Sequence, residues 1–332
     1  MTTKGKNARR RLLMGNQAIC EGAIAGGVKF YAGYPITPAT EIAEYMSQRM
    51  PQVGGKYVQM EDEIGSIYAV TGASASGVRA MTASSGPGIA LMQEGIGAAI
   101  AMEIPLVVAV MSRPGAGAGD ATGSGQTDIM QARWGPNGDS PIIALSPSTV
   151  SEAFWVTVKA VDISERFRTP VIILSEGLLA LLWEVIDLPD YSEVQVGDRP
   201  RPKGPPEDYK TYALTSPEDI PPMGDFGSGY RSIFHYVPNH PYGARNGQEA
   251  LDFTLNHLHA KIMAHREEIT ITKATQTEDA EILLIAAGTQ ARSAETAVGQ
   301  ARDKGLKVGL LKLTTLWPFP YDRVQDAAKS AR

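Results

Sequence analysis

Two runs in this chain, Pro105-Leu-Val-Val-Ala-Val-Met111 and Pro170-Val-Ile-Ile-Leu174, are apolar at every position. A strand of that kind has no face to give to water, so it belongs in the middle of a sheet covered by helices on both sides. Strand patterns at 28–33, 56–60, 78–84, 105–112, 141–146 and 170–175 alternate with helical patterns at 15–26, 39–50, 63–76, 88–101 and 149–166. Such alternation calls for parallel strands and crossover helices, so residues 13–185 are expected to form an α/β domain with a doubly wound parallel sheet. Ligands of such sheets sit beyond the C-terminal strand ends. Thr37, Glu63, Ser84-Ser85-Gly86 and Arg113 all fall there.

The flanks read differently. Lys4, Lys6, Arg9, Arg10 and Arg11 make residues 1–12 a short basic tail, read as solvated. Residues 186–274 are rich in Pro, Gly and Asp and read as an irregular linker with one helix at about 247–268. From 275 to 332 a second, smaller α/β unit opens, with strands at 281–287 and 306–314 around a helix at 290–304. Two strands are few for an independent domain, so this unit is expected to be shortened or completed by partner subunits. A net charge of −5 gives no reason to expect nucleic acid, and no apolar run reaches membrane-spanning length. With no signal-peptide pattern at its start, the chain is expected to be cytoplasmic. Its single cysteine, Cys20, excludes an internal disulfide and an iron–sulfur cluster held by this chain alone, and lies where a small buried residue is needed. His257, His259 and His265 are not spaced to put a metal-binding pair on one helix face, so structural or solvated roles are expected.

Each candidate at the strand ends carries two readings. In Tyr34-Pro35-Ile36-Thr37-Pro38 the prolines stiffen a strand-to-helix turn, and Thr37 either caps the next helix or presents its hydroxyl to an anion there. Of Glu61-Asp62-Glu63, all can serve the helix dipole, yet Glu63 precedes a small-residue face, Gly65, Ala69, Gly72, Ala73 and Ser76, where another backbone or a ligand can approach. A carboxyl pushed into such an interface can share a proton with a ring nitrogen. Ser84-Ser85-Gly86-Pro87-Gly88 is no P-loop and no dinucleotide fingerprint, but is a tight turn that brings backbone close to a ligand. Arg113 is either a surface cation or a bidentate grip on a carboxylate, beside a glycine-rich loop over 114–125.

Taken in order, Gly15-Asn-Gln-Ala-Ile19, Phe30-Tyr-Ala-Gly-Tyr-Pro-Ile-Thr-Pro38, Glu61-Asp-Glu-Ile-Gly65, Thr82-Ala-Ser-Ser-Gly-Pro-Gly88, Leu91-Met-Gln-Glu94, Glu103-Ile-Pro105 and Arg113 resemble the α subunit of 2-oxoacid:ferredoxin oxidoreductases. Gln126, Asp128, Gln131 and Gly138-Asp139 fall where that family has a Gln-x-Asp and a Gly-Asp or Gly-Glu. The resemblance implies the pyrimidine-binding half of a thiamine diphosphate site, followed by a domain of transketolase C-terminal type. A partner β subunit would bring the diphosphate, its Mg²⁺ and a four-iron, four-sulfur cluster; no metal ligand is expected in this chain. Glu63 is similar to the glutamate that contacts the aminopyrimidine ring and activates the cofactor. Thr37 and Arg113 resemble the pair that holds the substrate's 2-oxo-carboxylate, and Pro35, Ile36, Ser85 and Gly86 match further cofactor-contacting positions.

The expected activity is oxidative decarboxylation of 2-oxoglutarate, or the reverse carboxylation, with coenzyme A and ferredoxin. Pyruvate or branched-chain 2-oxoacids are alternative substrates; a non-oxidative thiamine enzyme subunit or an inactive scaffold are alternative roles. Consistent with a half-site, the sequence has no Gly-Asp-Gly followed by a suitably placed Asn to hold diphosphate-bound Mg²⁺. It departs from the family in the loop Pro114-Gly-Ala-Gly-Ala-Gly-Asp120, which lacks a Ser-Thr pair, and in Ser175-Glu176 in place of Ser-Asp. Nothing before residue 12 could be the family's γ-type domain, which is expected on another chain or segment.

Overall fold

The two apolar runs become neighbouring central strands. The structure, a computed structural model, describes residues 9–123, 125–137, 139–235 and 247–331. Outside them lie the start of the basic tail with Lys4 and Lys6, Ser124 of the glycine loop, Gly138 of the Gly-Asp pair, linker residues 236–246 and Arg332. In chain order the elements are β1 (Arg9–Met14), α1 (Gly15–Ala25), β2 (Phe30–Gly33), α2 (Thr40–Gln52), β3 (Lys56–Gln59), α3 (Glu63–Ala75), β4 (Ala80–Ser84), α4 (Pro87–Ala101) and β5 (Leu106–Ser112). Then come α5 (Asp128–Trp134), β6 (Ile143–Leu145), α6 (Val150–Phe167), β7 (Pro170–Glu176), α7 (Gly177–Leu181) and β8 (Trp183–Leu188). The remainder holds α8 (Gly247–Ala264), α9 (Arg266–Ile269), β9 (Thr272–Thr275), β10 (Ile282–Ala287), α10 (Gly288–Asp303), β11 (Val308–Leu313), β12 (Thr315–Trp317) and α11 (Tyr321–Ala327).

The main sheet has seven strands in the order β12-β6-β7-β5-β4-β2-β3. Its ladders are parallel except between β12 and β6. Strand residues alternate between two cores: Val107, Ala109 and Met111 face α1, α2 and α6, whereas Leu106, Val108 and Val110 face α3 and α4. That two-sided burial is what the apolar runs demanded, and each buried Val, Leu or Met side chain contributes about 1.5–3 kcal/mol relative to exposure. β3 lies on one side of β2 and β4 on the other, so the strand order reverses at the C-terminal ends of β2 and β4. This switch point is where α/β sheets open a crevice.

Three pairings differ from what local pattern shows. Arg9–Met14 is a strand, antiparallel to β8, although Arg9, Arg10 and Arg11 keep their side chains in solvent. Secondly, the linker is mostly irregular but is fastened beneath the N-terminal strand ends. There the buried Arg199 grips Glu165 at 2.7 and 2.6 Å, and Arg168 donates to the Pro221 carbonyl at 2.7 Å. Thirdly, β9, β10 and β11 form a separate three-stranded sheet, while β12 leaves it to edge the main sheet. Leu311, Leu313 and Leu316 accordingly sit in the same core as Val108. Among the described residues no helix is long and apolar enough to cross a membrane.

Candidate active site

At the end of β2 the chain turns sharply: the Ala39 amide donates to the Ile36 carbonyl at 2.7 Å. Helix α2 then starts at Thr40, one residue later than the periodicity suggests, with Ala39 as an N-cap that makes no side-chain bond. Thr37 is therefore outside the helix and is not its cap; its side chain is exposed at the rim. Pro35 is exposed too, and Ile36 is half-buried against the core. The turn is held from below by Asn16, fully buried, whose amide donates to the Pro38 carbonyl at 2.8 Å and to Glu41 Oε2 at 3.1 Å. The Gly15-Asn16 pair that opens α1 thus has a role no local pattern in the sequence discloses.

The acidic cluster divides its labour. Asp62 caps α3, accepting the Gly65 amide at 2.7 Å. Glu63 is left for other work: it is 4% exposed and takes one hydrogen bond, from Ser84 Oγ at 3.3 Å. Opposite it the turn into α4 has room only for glycine. A Cβ on Gly88 would lie 2.2 Å from Glu63 Oε1, and one on Gly86 (φ +48°) would lie 2.7 Å from Arg113 Nε. Ser85 is completely buried with its hydroxyl unpartnered.

Arg113 follows β5 and is 7% exposed. Its Nη1 donates to the Thr37 carbonyl at 2.7 Å, while its buried Nε has no partner. The structure therefore brings Thr37 and Arg113 together through Thr37's backbone rather than its hydroxyl. Asp128, at the start of α5, accepts Ser112 Oγ at 2.9 Å, and burial raises its carboxyl above the ordinary aspartate value despite bonds from Ser112 and the Arg113 amide. Glu176, at the end of β7, reaches the second unit: Thr289 donates its amide and hydroxyl to it at 3.1 and 2.5 Å, and Gln126 donates at 2.8 Å. An aspartate there would be one methylene short of this bridge.

Thr37, Glu63, Ser85, Gly86 and Arg113 thus come together at the switch point. A buried carboxylate, two buried donors without partners and a wall of glycine backbone fit a flat nitrogen heterocycle and a small anion better than they fit a packed core. Along the outer face of α3 the flank is open: Ile64 and Tyr68 are 45% and 38% exposed, and a Cβ on Gly72 would meet nothing within 4 Å.

Two family models match the chain. The family of pyruvate flavodoxin/ferredoxin oxidoreductases, thiamine-diphosphate-binding part, matches residues 21–240, and pyruvate:ferredoxin oxidoreductase core domain II matches residues 280–332. The 2-oxoglutarate synthase subunit KorA of Methanothermobacter thermautotrophicus is 44% identical over 323 residues, covering 96% of this chain and 84% of that relative. A ketoisovalerate oxidoreductase subunit VorB of Methanothermobacter marburgensis is 35% identical over 320 residues, covering 96% and 83%. The solved 2-oxoglutarate:ferredoxin oxidoreductase from Magnetococcus marinus, with 2-oxoglutarate, coenzyme A and succinyl-CoA bound, superimposes with a TM-score of 0.91 at 32% identity. That match covers 97% of this chain, which spans 57% of the solved one.

Proposed function

The chain belongs to the pyruvate flavodoxin/ferredoxin oxidoreductase family, and from that premise we propose that it is the α subunit of a 2-oxoglutarate:ferredoxin oxidoreductase. In this reading it holds the pyrimidine half of thiamine diphosphate. A β subunit supplies the diphosphate and Mg²⁺ site and the iron–sulfur cluster, ferredoxin takes the electrons and coenzyme A takes the acyl group. Four relatives named 2-oxoglutarate synthase, at 44, 43, 42 and 38% identity, stand above the ketoisovalerate enzymes at 35%, which supports 2-oxoglutarate over a branched-chain acid.

One observation carries the reading. Glu63 is a buried carboxylate that does not cap its helix and pairs with no cation among the described residues, and it sits at the switch point near the unpartnered Ser85 hydroxyl and Arg113 Nε. Bound thiamine diphosphate supplies the nucleophilic carbon and the electron sink for loss of CO₂. Glu63 holds and exchanges the proton at the aminopyrimidine ring nitrogen, its dry surroundings strengthening that bond. The close-packed Gly86 and Gly88 let the ring lie against backbone. Arg113 fixes the substrate carboxylate, with Thr37 at the rim beside it, so the keto carbon is presented in one orientation. The exposed Ile64–Tyr68–Gly72 stripe is where the β subunit closes the crevice and excludes water.

The test is reconstitution with a β subunit carrying Gly-Asp-Gly and cluster cysteines, followed by ferredoxin reduction with 2-oxoglutarate, pyruvate and 2-oxoisovalerate. Coenzyme A-dependent reduction that favours 2-oxoglutarate is expected. Release of CO₂ without ferredoxin reduction, or preference for another acid, would overturn the assignment.

A further inference from the structure

Resting on that reading, we propose that Asp128 is a positioning residue for Arg113: it fixes the backbone from which the substrate-gripping guanidinium projects. Arg113 stands at the root of a glycine loop in which Gly115, Gly117 and Gly119 all have positive φ, at 107°, 57° and 64°. A side chain at such a root inherits the loop's freedom unless something ties the root down. The tie is the returning strand of the loop. Asp128 accepts the hydroxyl of Ser112, the residue before Arg113, at 2.9 Å, and Thr127 Oγ1 donates to the Arg113 carbonyl at 3.1 Å. The Ser112 side chain and the Arg113 carbonyl, on either side of the Arg113 Cα, are thereby held by two adjacent residues.

Helix capping does not account for this pair. Thr127 is the N-cap of α5, yet its hydroxyl makes no capping bond and goes to Arg113 instead. Asp128 is 6% exposed, and Arg113 is the only cation among the groups that shift its carboxyl. Keeping a carboxylate in such dry surroundings costs stability whatever its role. With its root fixed, Arg113 turns Nη1 to the Thr37 carbonyl and leaves Nε buried and unpartnered toward Gly86. This gives the Gln126-x-Asp128 spacing a physical purpose: Gln126 anchors to Glu176 at 2.8 Å, and Asp128 anchors to Ser112, the residue that leads into Arg113.

The experiment measures KM for 2-oxoglutarate and kcat of ferredoxin reduction in the assembled complex, for wild type, Arg113→Ala, Asp128→Ala, Asp128→Asn and Ser112→Ala. Misplacement of a substrate-binding group by a fraction of an ångström costs on the order of tenfold, so Asp128→Ala should raise KM about tenfold while kcat changes far less. Asp128→Asn keeps one acceptor and should recover most of that loss; Ser112→Ala, the gentlest change, should raise KM by about threefold. If Arg113→Ala raises KM but the Asp128 and Ser112 variants stay within twofold of wild type, or lower kcat alone, the positioning role is wrong and the assignment of function stands. Should Arg113→Ala itself leave KM unchanged, the substrate clamp and the inference built on it both fall. Where Asp128→Ala does not fold, the Asn and Ser112 variants decide the matter.

Discussion

The two ends of the main sheet bury carboxylates in opposite ways. Before β5, at the N-terminal end, Glu103 is 1% exposed and meets Lys261 Nζ at 2.6 Å and His257 Nε2 at 3.0 Å. Burial alone would raise its carboxyl, but Lys261, His257 and Arg168 together carry it well below the ordinary glutamate value. At the C-terminal end Glu63 has one hydroxyl neighbour at 3.3 Å, and Asp128 is held above its ordinary value. The lower end, where the linker and α8 are stapled on, surrounds its buried glutamate with cations. At the upper end Glu176 is held by Thr289 and Gln126, but Glu63 has a single hydroxyl donor and Asp128 has no ion pair among the described residues. This difference between Glu103 and Glu63 is the one expected if the proposed site lies at the upper end.

Breaking each carboxylate should therefore give opposite phenotypes. The largest effect expected is on turnover: Glu63→Gln in the assembled complex should lower ferredoxin reduction by roughly 10³-fold or more with Tm little changed, because the lost group moves a proton and holds little structure. Glu103→Gln is its mirror. It strands the buried Lys261 ammonium without a carboxylate and should cost about 3–5 kcal/mol of stability, read as a lower Tm, while the folded fraction keeps its KM and kcat. Activity loss from Glu103→Gln in folded protein, or collapse of Tm in Glu63→Gln, would erase the contrast.

A pH series sharpens it. Glu103 is depressed in the folded state, so its stabilisation is complete above the unfolded glutamate value of about 4.3 and is lost as pH falls through the folded value. Glu21 behaves likewise: burial would raise it, but the hydrogen bonds from Arg49, Tyr191 and Tyr45 prevail. Asp128 has the other sign. Its folded value is raised, so stability is lost as pH rises from the unfolded value of about 3.9 through the folded one. Asp128→Asn should therefore raise Tm at pH 7 even as it raises KM, and Glu103→Gln should flatten the acid limb. A lower Tm at pH 7 for Asp128→Asn would place Asp128 with the structural carboxylates.

The same contrast explains what was legible in the sequence. Periodicity and turn residues are local, so the strands, their order of appearance and the strand-end positions of Glu63, Ser85 and Arg113 could be read directly. The division between Asp62 as cap and Glu63 as free carboxylate could not, since both lie in one helical turn and only packing against Gly88 separates them. Pairings across long stretches of chain left no local trace: β1 on β8, β12 on β6, and Glu103 with Lys261. Asn16 and Asp128 belong to the same class. Their partners, Pro38 and Ser112, are distant in sequence and carry no charge to match.

The smallest expected effect tests the boundary between the two behaviours. Helix α3 starts beside the site with Glu63 and ends where Arg199 donates to the Ser74 carbonyl at 2.6 Å, under the stapled edge. Its inner face, Ile67, Val70 and Ser74, is buried, but its outer stripe of Ile64, Tyr68 and Gly72 is open. Glycine in a helix interior costs about 0.5–1 kcal/mol relative to alanine, and none of the described residues would crowd the added methyl. Gly72→Ala should thus stabilise the isolated subunit by that amount. If the β subunit packs on this stripe as closely as the glycine permits, the same variant should bind it more weakly, measured as a higher Kd in a titration of the two subunits. A stabilised chain with unchanged affinity would move the interface off α3 and leave the crevice to be closed from the Tyr34 side.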